Sequence, residues 1–506
     1  MPRRRSRQRK PRPEQLVKPK LGQLFNPYSP VEALDGEALD SIHDASMRIL
    51  EEIGLEILSE QALARYEADG VRVDWDRQQV LLDREWVMAH IARVPSEFIM
   101  HAPNPERNRL VGRNAINFTP VSSAPNCSDL ETGRRTGNFE DYCNFMRLTH
   151  HFDVLDFTSG YPVEPIDLPP DTRHLDASLA AYTLTDRAFS LYCLGGGRVM
   201  DGIQMAAIAR GVDLDTLKGE PSVVTVVNTN SPLRVDAPMS EGLIEMAEYG
   251  QPVIVTPFTL SGAMSPITLA GALAQQNAEA LGVIALSQIV NPGAPMVYGG
   301  FTSNADMQSG APAFGTPEYT RAAWVSGQLA RRYGLPFRSS NTNASNCVDA
   351  QSAWESQMSL WGAVMGHAQI VKHSAGWLEG GLCASFEKFI IDVDMLQMLR
   401  ETLTPLAVDE STLALDSIRE AGHGGHFFGT AHTRANYRTA FYAPLTSDWS
   451  NFETWTENGS KTAFERANRL YRQALADYRE PGIDAGIRHQ LEAYANERRR
   501  ELELTR

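Results

Sequence analysis

The chain has 506 residues, 42% of them hydrophobic and 22% charged; this balance excludes a disordered, collagen-like or disulfide-scaffold protein and supports a sizeable core without metal or cross-links. The formal net charge of −15 is unevenly spread: residues 1–20 hold nine basic residues and one acid, and the remaining 486 carry a net −23. An acidic body lacks the basic face that phosphate contacts need, which excludes nucleic acid as a main partner.

Residues 1–26 read as a basic, disordered tail. No apolar segment follows its charges, as a secretory signal would require. No run of ~18 apolar residues follows anywhere, so no membrane span is expected. Residues 27–115 form a helical and hairpin layer. Leu39, Ile42, Ala45, Ile49, Leu50 and Ile53 predict a helix over 36–53, with Asp35 as its cap and Gly54 as its stop. A second helix is expected over 83–92 and a small β element over 108–118.

From residue 116 short β-like runs recur at 116–121, 154–160, 189–194, 223–227, 253–258, 296–301, 337–340 and 369–373. Helical segments separate them at 171–185, 199–210, 240–249, 268–288, 317–333 and 351–366. Runs such as SVVTVV and PVIVTPF are apolar throughout, as in strands buried on both faces. Repeated βα units of roughly 30 residues or more predict an α/β protein, a (β/α)8 TIM barrel over 116–394. Residues 395–506 make a C-terminal helical extension, with helices over 461–479 and 483–502 that wrap the barrel or pair with another subunit; a homo-oligomer is expected. The five cysteines are widely spaced with no C-x-x-C, which fits reduced thiols in a cytoplasm.

In a barrel of this kind function collects at the carboxyl ends of the strands. The sequence places there Tyr161; Cys193 and the glycines at 195–197; Asn228, Asn230 and Arg234; Phe258 and Thr259; Tyr298, Phe301 and Asn304; Asn341, Asn343 and Asn346; and His373, Trp377 and Glu379. The glycine run lacks the G-x-G-x-x-G spacing and reads as a tight turn. Aromatic rings and neutral amides with few carboxylates suit a poorly hydrated cation such as a quaternary ammonium, at ~0.5–2 kcal/mol per ring. His423, His426 and His432 have a spacing seen in transition-metal sites, but they sit in a glycine-rich loop with no carboxylate to match. A turn over the mouth is expected there, with no metal.

Five segments together resemble the trimethylamine methyltransferase family, and specifically its members without pyrrolysine. They are residues 26–57, 128–142 (SDLETGRRTGNFEDY), 333–355 (YGLPFRSSNTNASNCVDAQSAWE), 373–396 and 424–438 (GGHFFGTAHTRANYR). The resemblance implies a (β/α)8 barrel that moves a methyl group from a methylated amine to the cobalt of a corrinoid protein. No cofactor is then bound by the chain itself; the corrinoid (cobalamin) is carried by the partner. Pyrrolysine would fall near Asn341, where this sequence has ordinary residues, and that points away from trimethylamine. A quaternary ammonium already carries its charge and leaves as a neutral tertiary amine without a general acid. Glycine betaine is the simplest such substrate. On this reading His373 and Asn341 are the candidate catalytic residues, and Tyr161, Phe258, Tyr298, Phe301, Arg338, Trp377 and Glu379 the candidate substrate contacts. Arg338, Asn341 and His373 are the candidates for its carboxylate. A non-catalytic betaine-binding barrel and a hydrolase using the three histidines are the alternatives.

Overall fold

The structure is a computed structural model and describes residues 22–192, 195 and 197–504. Most of the expected basic tail, Cys193 and the middle glycine of the run at 195–197 lie outside the described residues. Eight strands form one sheet: β1 (Leu24–Phe25), β2 (Ala115–Phe118), β3 (Phe189–Ser190), β4 (Val223–Val227), β5 (Val253–Val255), β6 (Met296–Gly299), β7 (Phe337–Ser340) and β8 (Ile370–Lys372). Their order is β1-β2-β8-β7-β6-β5-β4-β3. β1 runs antiparallel to β2 and every other pairing is parallel. Helices joining successive strands cover the outer face, so central strands such as Val223–Val227 and Val253–Val255 are buried on both sides and read as apolar runs. The sheet curls, and β2 and β3 are its two parallel ends.

Residues 154–160, expected as a strand, span the interval between those ends without joining a ladder. The Asp156 N–H donates to the Phe118 carbonyl at 2.8 Å and the Thr158 N–H to the Ala188 carbonyl at 3.1 Å. Only an isolated parallel bridge, Phe157 with Ala188, marks the segment. The reason lies in its polar side chains. The Asp156 carboxylate accepts from Arg109 at 2.7 Å and from the Phe118 N–H at 3.0 Å, and the Thr158 hydroxyl accepts from the Ser190 N–H at 3.0 Å. Side chains thus take hydrogen bonds that a ladder would otherwise use.

Alternation along the strands fixes what faces inward. Phe157, Ala188, Val224, Ile254, Val297 and Ile370 meet in an apolar floor, closed from below by Met100, Ala102 and Val111. The last three come from the hairpin of Phe98–Met100 and Arg109–Val111 and the turn between them. Outside the sheet, the helices Gly36–Arg48, Glu60–Ala68 and Arg84–Ile91 pack on the long helix Leu269–Val290. That helix is buried along most of its length, so apolar residues lie all round it, and its buried polar side chains, such as Gln276 and Asn277, find hydrogen-bond partners.

Three expected boundaries move. β1 lies within the expected tail. The helix Phe386–Thr402 runs across residue 394. The first helix ends at Arg48 and continues as one π turn over Ile49–Ile53. In the C-terminal extension, Ala463–Ala476 packs on Phe386–Thr402, and Ala485–Leu504 packs on Arg173–Leu184 and Arg198–Arg210. Between them, residues 404–441 stand outside the core. Only Ser417 and Thr430 are buried there, while Leu406 and Phe428 are each 88% exposed. Among the described residues no helix is long and apolar enough to cross a membrane.

Phe157 ties the unpaired segment to the floor and is fully buried. Phe157→Ala is expected to cost about 3–5 kcal/mol, read as a lower urea midpoint.

Candidate functional site

A cavity of about 580 Å³ opens at the carboxyl ends of the strands. Its position follows from the strand pattern. Ile370 belongs to the apolar floor, so Lys372, two residues on, also points inward. Arg338 is the register partner of Ile370 on the neighbouring strand and takes the same face. Ser190 and Thr256 complete this inner layer, and both line the cavity with Arg338 and Lys372.

Aromatic side chains from the loops beyond the strands form the walls. Phe301 lies 5.3 Å from Phe258, 6.2 Å from His373 and 6.4 Å from Trp377, ring centre to ring centre. Trp377 lies 4.2 Å from the His373 ring. Its Nε1–H donates to the Asn343 carbonyl at 3.1 Å, which fixes the indole. Gly381 has φ +103°, and a Cβ there would sit 2.7 Å from the indole, so only glycine lets the chain pass so close.

The electrostatics are one-sided. Among the described residues no Asp or Glu lines the cavity. Nε and Nη1 of Arg338 are buried and have no hydrogen-bond partner among the described residues. The guanidinium lies 5.0 Å from the centre of the Phe301 ring. The Lys372 Nζ is 3.5 Å from the Ser190 hydroxyl. Burial lowers the Arg338 pKa to about 10. Burial, with Arg338 beside it, lowers that of Lys372 to about 7. His373 falls well below its ordinary 6.5, first through burial and then through the two cations. Its Nδ1 is 3.3 Å from the Ser122 hydroxyl. Its φ of +56° is uncommon for a residue with a side chain, and backbone of this kind tends to collect at functional sites.

The profile described as Trimethylamine methyltransferase (MTTB) matches residues 2–503. The chain belongs to the trimethylamine methyltransferase family. It is 37% identical to a glycine betaine methyltransferase of Desulfitobacterium hafniense, over 95% of this chain and 99% of that one. It is 30% identical to a trimethylamine methyltransferase from another strain of that species, over 87% and 88%. The crystal structure of the Methanosarcina barkeri monomethylamine methyltransferase has a similar fold, with a TM-score of 0.50 at 10% identity and 88% of each chain covered.

In this family member the structure brings Phe258, Phe301, Arg338, His373 and Trp377 into one cavity. Four other expected residues lie elsewhere. Tyr161 is buried behind Tyr192, which lines the cavity in its place, the rings 5.2 Å apart and within 7° of parallel. Tyr298 follows inward-facing Val297 and so points outward, its hydroxyl donating to Asn277 Oδ1 at 3.1 Å. The Asn341 amide donates to the Ser374 carbonyl at 3.1 Å, behind the cavity wall. Glu379 forms an ion pair with Arg134 at 2.9 Å. His423, His426 and His432 are exposed on the segment outside the core. Among the described residues no group of three or more His, Cys, Asp or Glu side chains is placed to hold a metal. Lys372, Thr256 and Tyr192 were not anticipated. The alternation of β8 is the signal that reaches Lys372.

The lowered pKa of His373 keeps it neutral in the folded protein while the unfolded chain takes up a proton near 6.5. Its contribution to stability is therefore full above that pH and is lost as pH falls through it. The imidazole nitrogen shifts of His373 are expected to keep neutral-ring values between pH 8 and 6, with only the small step that a neighbouring titration induces. A full change to imidazolium shifts inside that range would contradict the assignment.

Proposed function

We propose that the chain transfers a methyl group from the quaternary nitrogen of a betaine, with glycine betaine the simplest fit, to the Co(I) of a corrinoid carried by a separate protein. The observation that carries this reading is a cavity walled by Phe258, Phe301 and Trp377 with no carboxylate facing it and a neutral His373. Among the described residues the cavity holds no carboxyl–imidazole couple for proton transfer. Methyl transfer from a quaternary ammonium requires none. The C–N bond breaks, its electron pair stays on nitrogen, and a neutral tertiary amine departs.

The chain's own residues then have three tasks. The rings hold the methylammonium through their faces. The walls, braced by the Trp377 hydrogen bond, keep one C–N bond directed at the open end, where the acceptor must approach in line. The enclosed cavity excludes water. Attraction between ring faces and nitrogen fades as the positive charge leaves, so a tight ground-state cage would slow the reaction. Moderate affinity is the better design. At the mouth, Leu382 lines the cavity and is 56% exposed. Ile267 and Met307 form an exposed apolar pair on the loops after β5 and β6, and we assign this rim to the corrinoid-carrying partner. Residues 154–160 complete the ring of a TIM barrel in this reading. The name of the D. hafniense glycine betaine methyltransferase supports the substrate class.

Anaerobic mixing of the purified chain with glycine betaine and a reduced corrinoid is expected to give a methyl–cobalt spectrum and dimethylglycine. Trp377→Ala is expected to lower the rate at least about tenfold, as loss of one cage wall and its positioning. A folded protein that yields no methyl–cobalt with any betaine in a panel would overturn the reading. Binding without transfer would instead identify a betaine-binding protein.

A further inference from the structure

We propose that Arg338 and Lys372 form an anion site in the inner layer of the cavity, one that holds a carboxylate of the substrate and makes zwitterions the preferred class over simple quaternary cations. The inference deepens the methyl-transfer reading and rests on it for the methylated end of the substrate; the anion site itself stands on the geometry.

Both side chains are buried, Arg338 at 2% and Lys372 at 3% exposure, and both face the cavity. A buried cation is normally paired, because an uncompensated one costs several kcal/mol. This protein follows that rule elsewhere. Fully buried Lys388 forms an ion pair with Asp392 and a hydrogen bond with Ser356 at 2.8 Å, and buried Arg109 pairs with Asp156 at 2.7 Å. Among the described residues, the cavity holds two buried basic side chains with no carboxylate lining the space. Nε and Nη1 of Arg338 have no hydrogen-bond partner among the described residues, so no group there balances its charge. A bond from this guanidinium or from the Lys372 ammonium to a carboxylate is charge-assisted, and such bonds are about twice as strong as neutral ones. A lone quaternary cation entering the same cavity would meet two like charges.

The position in the fold also sets the orientation. Arg338 is level with the apolar floor, through its register with Ile370, and Lys372 is one repeat above it. Phe258, Phe301 and Trp377 come from the loops beyond the strand ends. A zwitterion therefore lies with its carboxylate inward and its methylammonium among the rings, toward the open end. The same geometry makes binding pH-dependent. Arg338, His373, Ser190 and Thr256 are polar groups of the cavity around Lys372. Arg338 lies near 10 and His373 well below its ordinary value, so Lys372, with a pKa of about 7, is the group that titrates around neutrality.

Calorimetry on the full chain tests this with glycine betaine and choline, which share a headgroup and differ in carboxylate against hydroxyl. Glycine betaine is expected to bind at least about tenfold more tightly, the scale of one or two charge-assisted hydrogen bonds. Lys372→Met is expected to remove most of that ratio by weakening glycine betaine while leaving choline unchanged or improved. Affinity of the unaltered chain for glycine betaine should fall as pH rises above 7, with proton uptake on binding, and Lys372→Met should abolish the uptake. Equal affinity for choline and glycine betaine in the unaltered chain would overturn the proposal, whatever the variant does. Methyl transfer from choline as efficient as from glycine betaine would also overturn it and leave the methyltransferase reading intact. Carboxylate selectivity without any methyl transfer would uphold the anion site and defeat that reading.

Discussion

A buried guanidinium with no carboxylate lining its cavity among the described residues, beside an amine that carries its charge only below about pH 7, is the constraint around which this molecule is arranged. Water would stabilise each far better than a protein interior does. They are kept inside because the curled sheet allows nothing else. Arg338 and Lys372 occupy inward positions on adjacent strands, and a shift of one residue would turn every floor side chain outward along with them. The apolar floor beneath, the helices outside and the hairpin that closes the bottom all resist such a shift. Core packing thus holds a pair of basic groups in a place that packing alone would not favour.

The aromatic walls complement that inner layer. Rings attract a cation through their faces, and the inner layer repels it. A ligand that satisfies both must carry both signs, a short distance apart. His373 joins the two regions: it contacts Phe301 and Trp377 on one side and is kept neutral by burial and the cations on the other. Its strained backbone shows that the chain accepts a local cost to place a neutral ring there.

Much of this was legible in the sequence, because period and spacing are local. β4 and β7 fall on the residues expected, β4 from its apolar run and β7 from the spacing of the βα repeat. The rule that loops after parallel strands carry function reached Phe258, Phe301, His373 and Trp377, and the need to hold a betaine carboxylate, which followed from the family resemblance, reached Arg338. The failures have tertiary causes. Residues 154–160 are apolar enough for a strand, but Asp156 and Thr158 spend their side chains on neighbouring backbone. Glu379 sits beside a mouth residue in sequence, yet its partner is Arg134, far away along the chain. Tyr298 and Asn341 were placed by proximity to a strand end, with no account of which face each residue takes. Lys372 was overlooked inside an apolar run, where its direction follows from Ile370 alone.

The segment at 404–441 has a different kind of consequence. With only two buried residues it contributes almost nothing to the core, and in return the core does little to hold it. Its apolar side chains, Phe428 and Leu406 among them, stand in water, and any molecule that covered them would stabilise the segment in proportion to its concentration. The chain therefore combines two regimes. One is an interior whose order rests on contacts within the chain. The other is an outer segment whose apolar side chains find little cover within it.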